Sequence, residues 1–153
     1  MCGVAQELFA TTLDVYLTLG EIPDNPHNLE TADGRPATRD NARDRLARSI
    51  CADREMFSEA DAERVAGALC ASQTLNLAAA ARAVIERMSY PPHTVVLSGS
   101  GEFLARRVLS QLSIAPRIVS LAENLGEDIT RCAPAHALAV LAYEMGSQRM
   151  RRE

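Results

Sequence analysis

The chain has 153 residues, a length suited to one domain with a real core. Its formal net charge is −4 and all sixteen of its basic residues are arginine. That excludes lysine Schiff bases and phosphate-loop lysines, and it disfavours nucleic acid, which needs a basic face.

No run approaches the ~18 unbroken apolar residues that span a bilayer, and no signal-peptide pattern opens the chain. The expectation is a soluble, cytoplasmic protein with no membrane or nucleic-acid partner. Cys2, Cys51, Cys70 and Cys132 include no C-x-x-C pair and have no histidine at ligand spacing. They read as reduced thiols rather than a zinc site or a disulfide framework.

Residues 5–20 carry Leu8, Phe9, Leu13, Tyr16, Leu17 and Leu19 at helical spacing. Glu7, Thr11, Asp14 and Thr18 form the opposite, polar stripe, read as either a solvated face or the wall of a cleft. Pro23 and Pro26 then open a Pro/Gly/Asn/Asp segment over 21–40, with a turn at Asp33-Gly34. A loop this long is functional or disordered in most folds. Residues 38–50 predict a short amphipathic helix with Thr38 as N-cap, Ala42, Leu46 and Ile50 inward, and Arg43, Arg45 and Arg48 on a solvated face.

Ser58-x-x-Asp61 is a capping-box signature opening a helix over 58–88, which Tyr90-Pro91-Pro92 terminates. Residues 94–98 and 117–121 read as buried strands, parallel because the helix over 101–112 joins them. An alanine-rich helix with Pro134 near its start covers 132–147, and 148–153 is a charged tail. The fold class is α/β, mostly helical, with a small parallel sheet that needs cover on both faces.

Ser98, Gly99, Ser100, Gly101 and Glu102 form a turn from strand to helix, where free N–H groups and the helix dipole favour an anion. It has neither the third glycine of a dinucleotide fingerprint nor a Walker lysine. Glu102 repels a phosphate and suits a neutral or cationic group, or Arg106 one turn on. A ligand site and a tight turn with serine capping both remain open here.

The stretch VVLSGSGEFLARRVL, residues 95–109, resembles the adenosine-motif turn of the sugar kinase and actin superfamily. Together with ELFATTLDVYLTLG, ETADGRPATRDNARDRLARSICAD and IVSLAENLG, it resembles the hydantoinase/oxoprolinase-like proteins of the tetrahydromethanopterin-linked one-carbon pathway. These include the condensing enzymes of methanofuran biosynthesis. The resemblance runs from about Glu7 to Ala142.

The resemblance implies a ribonuclease-H-like fold of two lobes with a ligand cleft between them. Residues 1–153 then correspond, as one domain, to the second lobe, because the early Asp-x-Gly-Gly phosphate loop of the first lobe is not found. It also implies transfer or condensation of a phosphorylated small substrate onto a tyramine-glutamate amine in the intact protein. On that reading Asp14 and Thr11 orient the nucleophile and Arg35 holds phosphate. Thr12, Thr31, Asp33, Gly34 and the turn from Ser98 to Glu102 contact the ligand. Magnesium suits a diphosphate leaving group; no metal site is read in the chain's own residues. The partner is a missing N-terminal lobe or a second copy. The other reading is a non-catalytic ligand-binding or assembly module.

Overall fold

The computed structural model describes residue 3 and residues 7–150; Cys2 and the last three residues of the charged tail lie outside them. Contacts cluster into two compact units, Met1–Leu75 and Asn76–Glu153, described separately below.

The first unit holds α1 (Thr12–Thr18), α2 (Arg39–Ser49) and the first part of α3 (Glu59–Ile85). Helix α1 starts later than its apolar spacing predicts. Thr11 is extended at φ −125° and its N–H donates to the Asp14 carboxylate at 2.8 Å, so the chain is capped there. Leu17, Ala37 and Ala42 form a buried cluster with Leu13 and Ile22 packed on it. The Tyr16 hydroxyl donates to Gln73 Oε1 at 2.7 Å and ties α1 to α3.

The polar stripe of α1 is not solvated: Asp14 and Thr18 are both buried. The long segment before α2 is held by its own backbone. Asn25 and Ala37 form an antiparallel bridge, and the Ala37 N–H donates to the Asn28 carbonyl at 2.8 Å. Gly34 turns the chain at φ +71°, where a glycine is needed. Thr38 then caps α2 as expected, accepting from the Asn41 N–H. Ser58 and Asp61 exchange hydrogen bonds before α3 as a capping box does.

Helix α3 ends at Ile85, three residues short of the predicted Met88. By length and composition alone it could cross a membrane, with a mean hydropathy of 1.2 in its best 18-residue window. Gln73, Asn76 and Arg82 interrupt it, and Ala62, Ala66, Cys70 and Thr74 are buried within the protein.

The second unit orders the end of α3, β1 (Thr94–Leu97), α4 (Glu102–Leu109), β2 (Arg117–Ser120), α5 (Leu121–Leu125), α6 (Glu127–Arg131) and α7 (Ala133–Met150). The strands pair in parallel, Thr94 with Arg117 through Leu97 with Ser120, as expected for a crossover through α4. Ala78, Val108 and Leu112 make the core, with Ile85, Leu104 and Ile114 against it. Val96 and Ile118 stay exposed. The α/β, mostly helical class with a small parallel sheet is thus what the chain adopts.

Helices α5 and α6 were not expected. Each has five residues, too short for a periodic pattern, and Gly126 at φ +89° ends one and starts the other. The tail reading also changes, because α7 continues to Met150 and its backbone absorbs the first three tail residues. Between Leu138 and Met145 its large apolar side chains are exposed.

The Tyr16–Gln73 bond predicts that Tyr16→Phe lowers stability by about 1 kcal/mol, since the half-buried Gln73 carbonyl loses its donor. A lower urea midpoint at unchanged slope would show it.

Candidate functional site

Asp14 and Arg45 carry opposite charges on the buried stripes of two neighbouring helices, and there they meet. Arg45 Nε donates to Asp14 Oδ1 at 2.7 Å, and Nη2 lies at the same distance. Nη2 is off the hydrogen-bonding line and has no hydrogen bond of its own. Both side chains are fully buried. With Oδ2 accepting from the Thr11 N–H, both carboxylate oxygens of Asp14 are engaged.

Arg45 reaches on to the loop. Its Nη1 donates to Asp33 Oδ1 at 3.0 Å, and Arg48 Nη1 donates to Asp33 Oδ2 at 3.0 Å. Asp33 also accepts the Arg35 N–H at 3.2 Å. Partial burial opposes its charge, but the bonds from Arg35, Arg45 and Arg48 outweigh that and lower its pKa from 3.8 to about 2. Thr31 donates to the Arg35 carbonyl at 2.6 Å, closing the turn around Gly34. The Arg35 guanidinium pairs with Asp44 at 2.6 Å and also bonds Asn41. Arg54 contacts Asp44 as well, at 3.3 Å, and pairs with Asp40.

The structure therefore gathers Thr11, Asp14, Thr31, Asp33 and Arg35 into one polar network, with Thr12 exposed at its edge. Its hub is Arg45, which the sequence reading put on a solvated face. The signal was present: Arg45 lies three residues after Ala42 and next to Leu46, on the side of α2 that is buried. Arg35 and Arg48 are the part-exposed cations of the group, at 38% of their side-chain surface each.

The glycine turn belongs to the second unit, and the chain fills it from within. Gly99, at φ +89°, donates its N–H to Thr130 Oγ1 at 2.8 Å. Gly101 has an ordinary negative φ and does not use the freedom expected of it. Thr130 donates to Glu102, which also accepts from the Ser120 hydroxyl and, at 3.0 Å, from the Ala122 N–H. Burial opposes the charge on Glu102, but these donors and nearby Arg106 outweigh it and hold its pKa below the ordinary value. Ser98 and Ser100 are exposed on the turn. Arg106 pairs with Glu123 rather than with Glu102. Ser120 and Thr130 escaped the sequence reading because neither has a motif around it.

The hydantoinase/oxoprolinase family profile matches residues 2–144. The chain belongs to the hydantoinase/oxoprolinase family. Two relatives share the name (4-{4-[2-(gamma-L-glutamylamino)ethyl]phenoxymethyl}furan-2-yl)methanamine synthase. The protein of Methanococcus vannielii is 26% identical over 141 residues, covering 91% of this chain and 63% of its own length. That of Methanocaldococcus jannaschii is 29% identical over 141 residues, covering 92% of this chain and 41% of its own. The chain thus spans less than two thirds of either relative. The name also corrects one expectation. It describes a phenoxymethyl ether, so the oxygen of a phenol, not an amine, makes the link in those proteins' product.

Breaking the buried pair leaves an uncompensated charge, so Asp14→Ala should cost roughly 3–5 kcal/mol. Asp14→Leu combined with Arg45→Met should recover most of it, and chemical denaturation of both variants decides. Asp33 has a lowered folded pKa, so its contribution is complete above 3.8 and is lost as pH falls towards 2. Circular dichroism through acid unfolding should show a shallower loss over that window in Asp33→Asn than in the parent.

Proposed function

We propose that the chain forms part of a condensing synthase that builds an aryl ether between a phenol and a furan methyl group. What carries this reading is the alignment of nearly the whole chain with two relatives that share one synthase name. In the proposed reaction the phenol oxygen bonds to the furan methylene carbon. The bond from that carbon to a phosphate or diphosphate oxygen breaks, and the phenol proton passes to the departing phosphate. The leaving group makes this a substitution that needs charge neutralisation and positioning more than a strong base.

The residues divide accordingly. Asp14 is buried against Arg45, so on this reading it positions α1 and α2 and touches no substrate. Thr11, Thr12, Thr31, Asp33 and Gly34 shape the same side, with Arg35 as the phosphate-holding residue. To reach a phosphate, Arg35 must let go of Asp44, and Arg54 is already in contact with that carboxylate. The exchange leaves no carboxylate unpaired. The turn from Ser98 to Glu102 is the second candidate contact.

Among the described residues no group of three His, Cys, Asp or Glu could hold a metal ion. A magnesium ion serving a diphosphate would be bound mainly through the substrate's own oxygens. The finer fold assignment, a ribonuclease-H-like lobe of the actin and sugar kinase superfamily in a tetrahydromethanopterin-linked pathway, belongs to the same proposal.

A second reading rests on one observation. Leu138, Leu141, Tyr143 and Met145 of α7 are more than half exposed, at 69%, 54%, 77% and 71%. On it the chain is a non-catalytic module that works through a partner chain or a second copy. Incubation of the chain with gamma-glutamyl-tyramine and an aminomethylfuran-methyl diphosphate should yield the ether and free diphosphate by mass spectrometry. Failure to form ether, with neither reactant bound and a dimeric mass in solution, would replace the condensing reading with the second.

A further inference from the structure

Thr18, at the end of α1, has a buried hydroxyl with no hydrogen-bond partner. A hydroxyl left this way destabilises the fold. Thr18 lines a cleft of about 230 Å³ in the first unit, together with Asp24, Arg39, Asp40, Arg43, Glu59 and Ala62. Buried Thr18 and Ala62 accompany five charged residues, three acidic and two basic.

Much of that charge is already spent within the chain. Asp40 is paired with Arg54, and Arg39 Nη2 with Glu63. Arg43 directs Nε and Nη2 at the Phe57 carbonyl and Nη2 also at the Arg54 carbonyl, at 3.1 Å, and no hydrogen bond from its Nη1 is formed among the described residues. Asp24 uses Oδ1 for the Arg39 N–H at 2.8 Å. The Glu59 side chain makes no hydrogen bond or ion pair among the described residues, although its charge is one of those that raise the pKa of Arg54. Glu59, one oxygen of Asp24, the outer amino group of Arg43 and the Thr18 hydroxyl therefore remain for a ligand. Two acidic acceptors line the same cleft as the one uncommitted amino group of Arg43, which can donate to a carboxylate oxygen. A phosphate would be repelled by the acids, whereas a zwitterion offers a partner to the acids and to the guanidinium together.

We propose that this cleft binds the head group of an α-amino acid, its ammonium toward Glu59 and Asp24 and its carboxylate toward Arg43. The Thr18 hydroxyl completes the set as donor or acceptor. The gamma-L-glutamyl group named in the relatives' product carries such a head group at its free end. Its assignment as the natural occupant rests on the condensing reading; the affinity for an amino acid does not.

The test is calorimetric titration of the full chain with L-glutamate and with gamma-L-glutamyl-ethylamide, each compared with its N-acetyl and α-methyl-ester forms. Binding of the free head group is expected, weakened about tenfold or more by either block. Glu59→Gln, an exposed change, should weaken it by a similar factor. Thr18→Val should weaken binding while holding or raising the melting temperature, because it removes an unpaired hydroxyl.

Equal binding of free and blocked forms, or binding of none, overturns the proposal. Glutamate binding that fades in Glu59→Gln, without ether formation from the furan diphosphate, keeps the cleft and sinks the condensing reading. Ether formation indifferent to Glu59→Gln and to N-acetylation does the reverse.

Discussion

The first unit depends on one fully buried ion pair. Asp14 and Arg45 have no water to turn to, so each is tolerable only while the other is present. That requirement fixes the rotation of α1 and of α2 about their own axes. It also draws Asp33 inward, because Arg45 has a further donor that needs an acceptor. The loop before α2 is ordered for the same reason. It supplies the carboxylate that completes the hub, and its Asn25–Ala37 bridge holds that carboxylate in place.

Much of this was legible in the sequence where periodicity or capping chemistry spoke. The starts of α2 and α3 followed from Thr38 and Ser58, and both strands from their β-branched runs. What failed did so for physical reasons. A charged residue on an apolar stripe reads as an error of phase unless its counterpart on another helix is known. Asp14 and Arg45 lie 31 residues apart, beyond any local pattern. The two short helices around Gly126 are set by capping and by Glu102 rather than by an apolar face. Among the candidate residues, Thr11, Asp14, Thr31, Asp33 and Arg35 meet in one polar network, joined by an arginine whose position in the sequence reads as a solvated face.

The glycine turn shows how the same local chemistry can serve the chain itself. A βα turn with glycines offers donors that an anion could accept. Here Thr130 takes the Gly99 N–H and Glu102 takes three donors in turn. The acidic residue that looked unsuited to a phosphate is instead the clasp between β2, α5 and α6. Family membership and the relatives' shared name bear on the whole chain; the residues that hold a ligand must be sought where donors and acceptors remain uncommitted.

The networks of the first unit are cationic only through guanidinium groups, and the 153 residues include no ε-amine. A guanidinium keeps its proton at every pH a cell experiences. Alkaline conditions therefore cannot discharge the hub, and acylating or aldehyde reagents that modify lysine side chains find none to attack. Within these 153 residues a cross-linker of that kind finds no side chain to join, so carboxylate- or thiol-directed chemistry has to take its place.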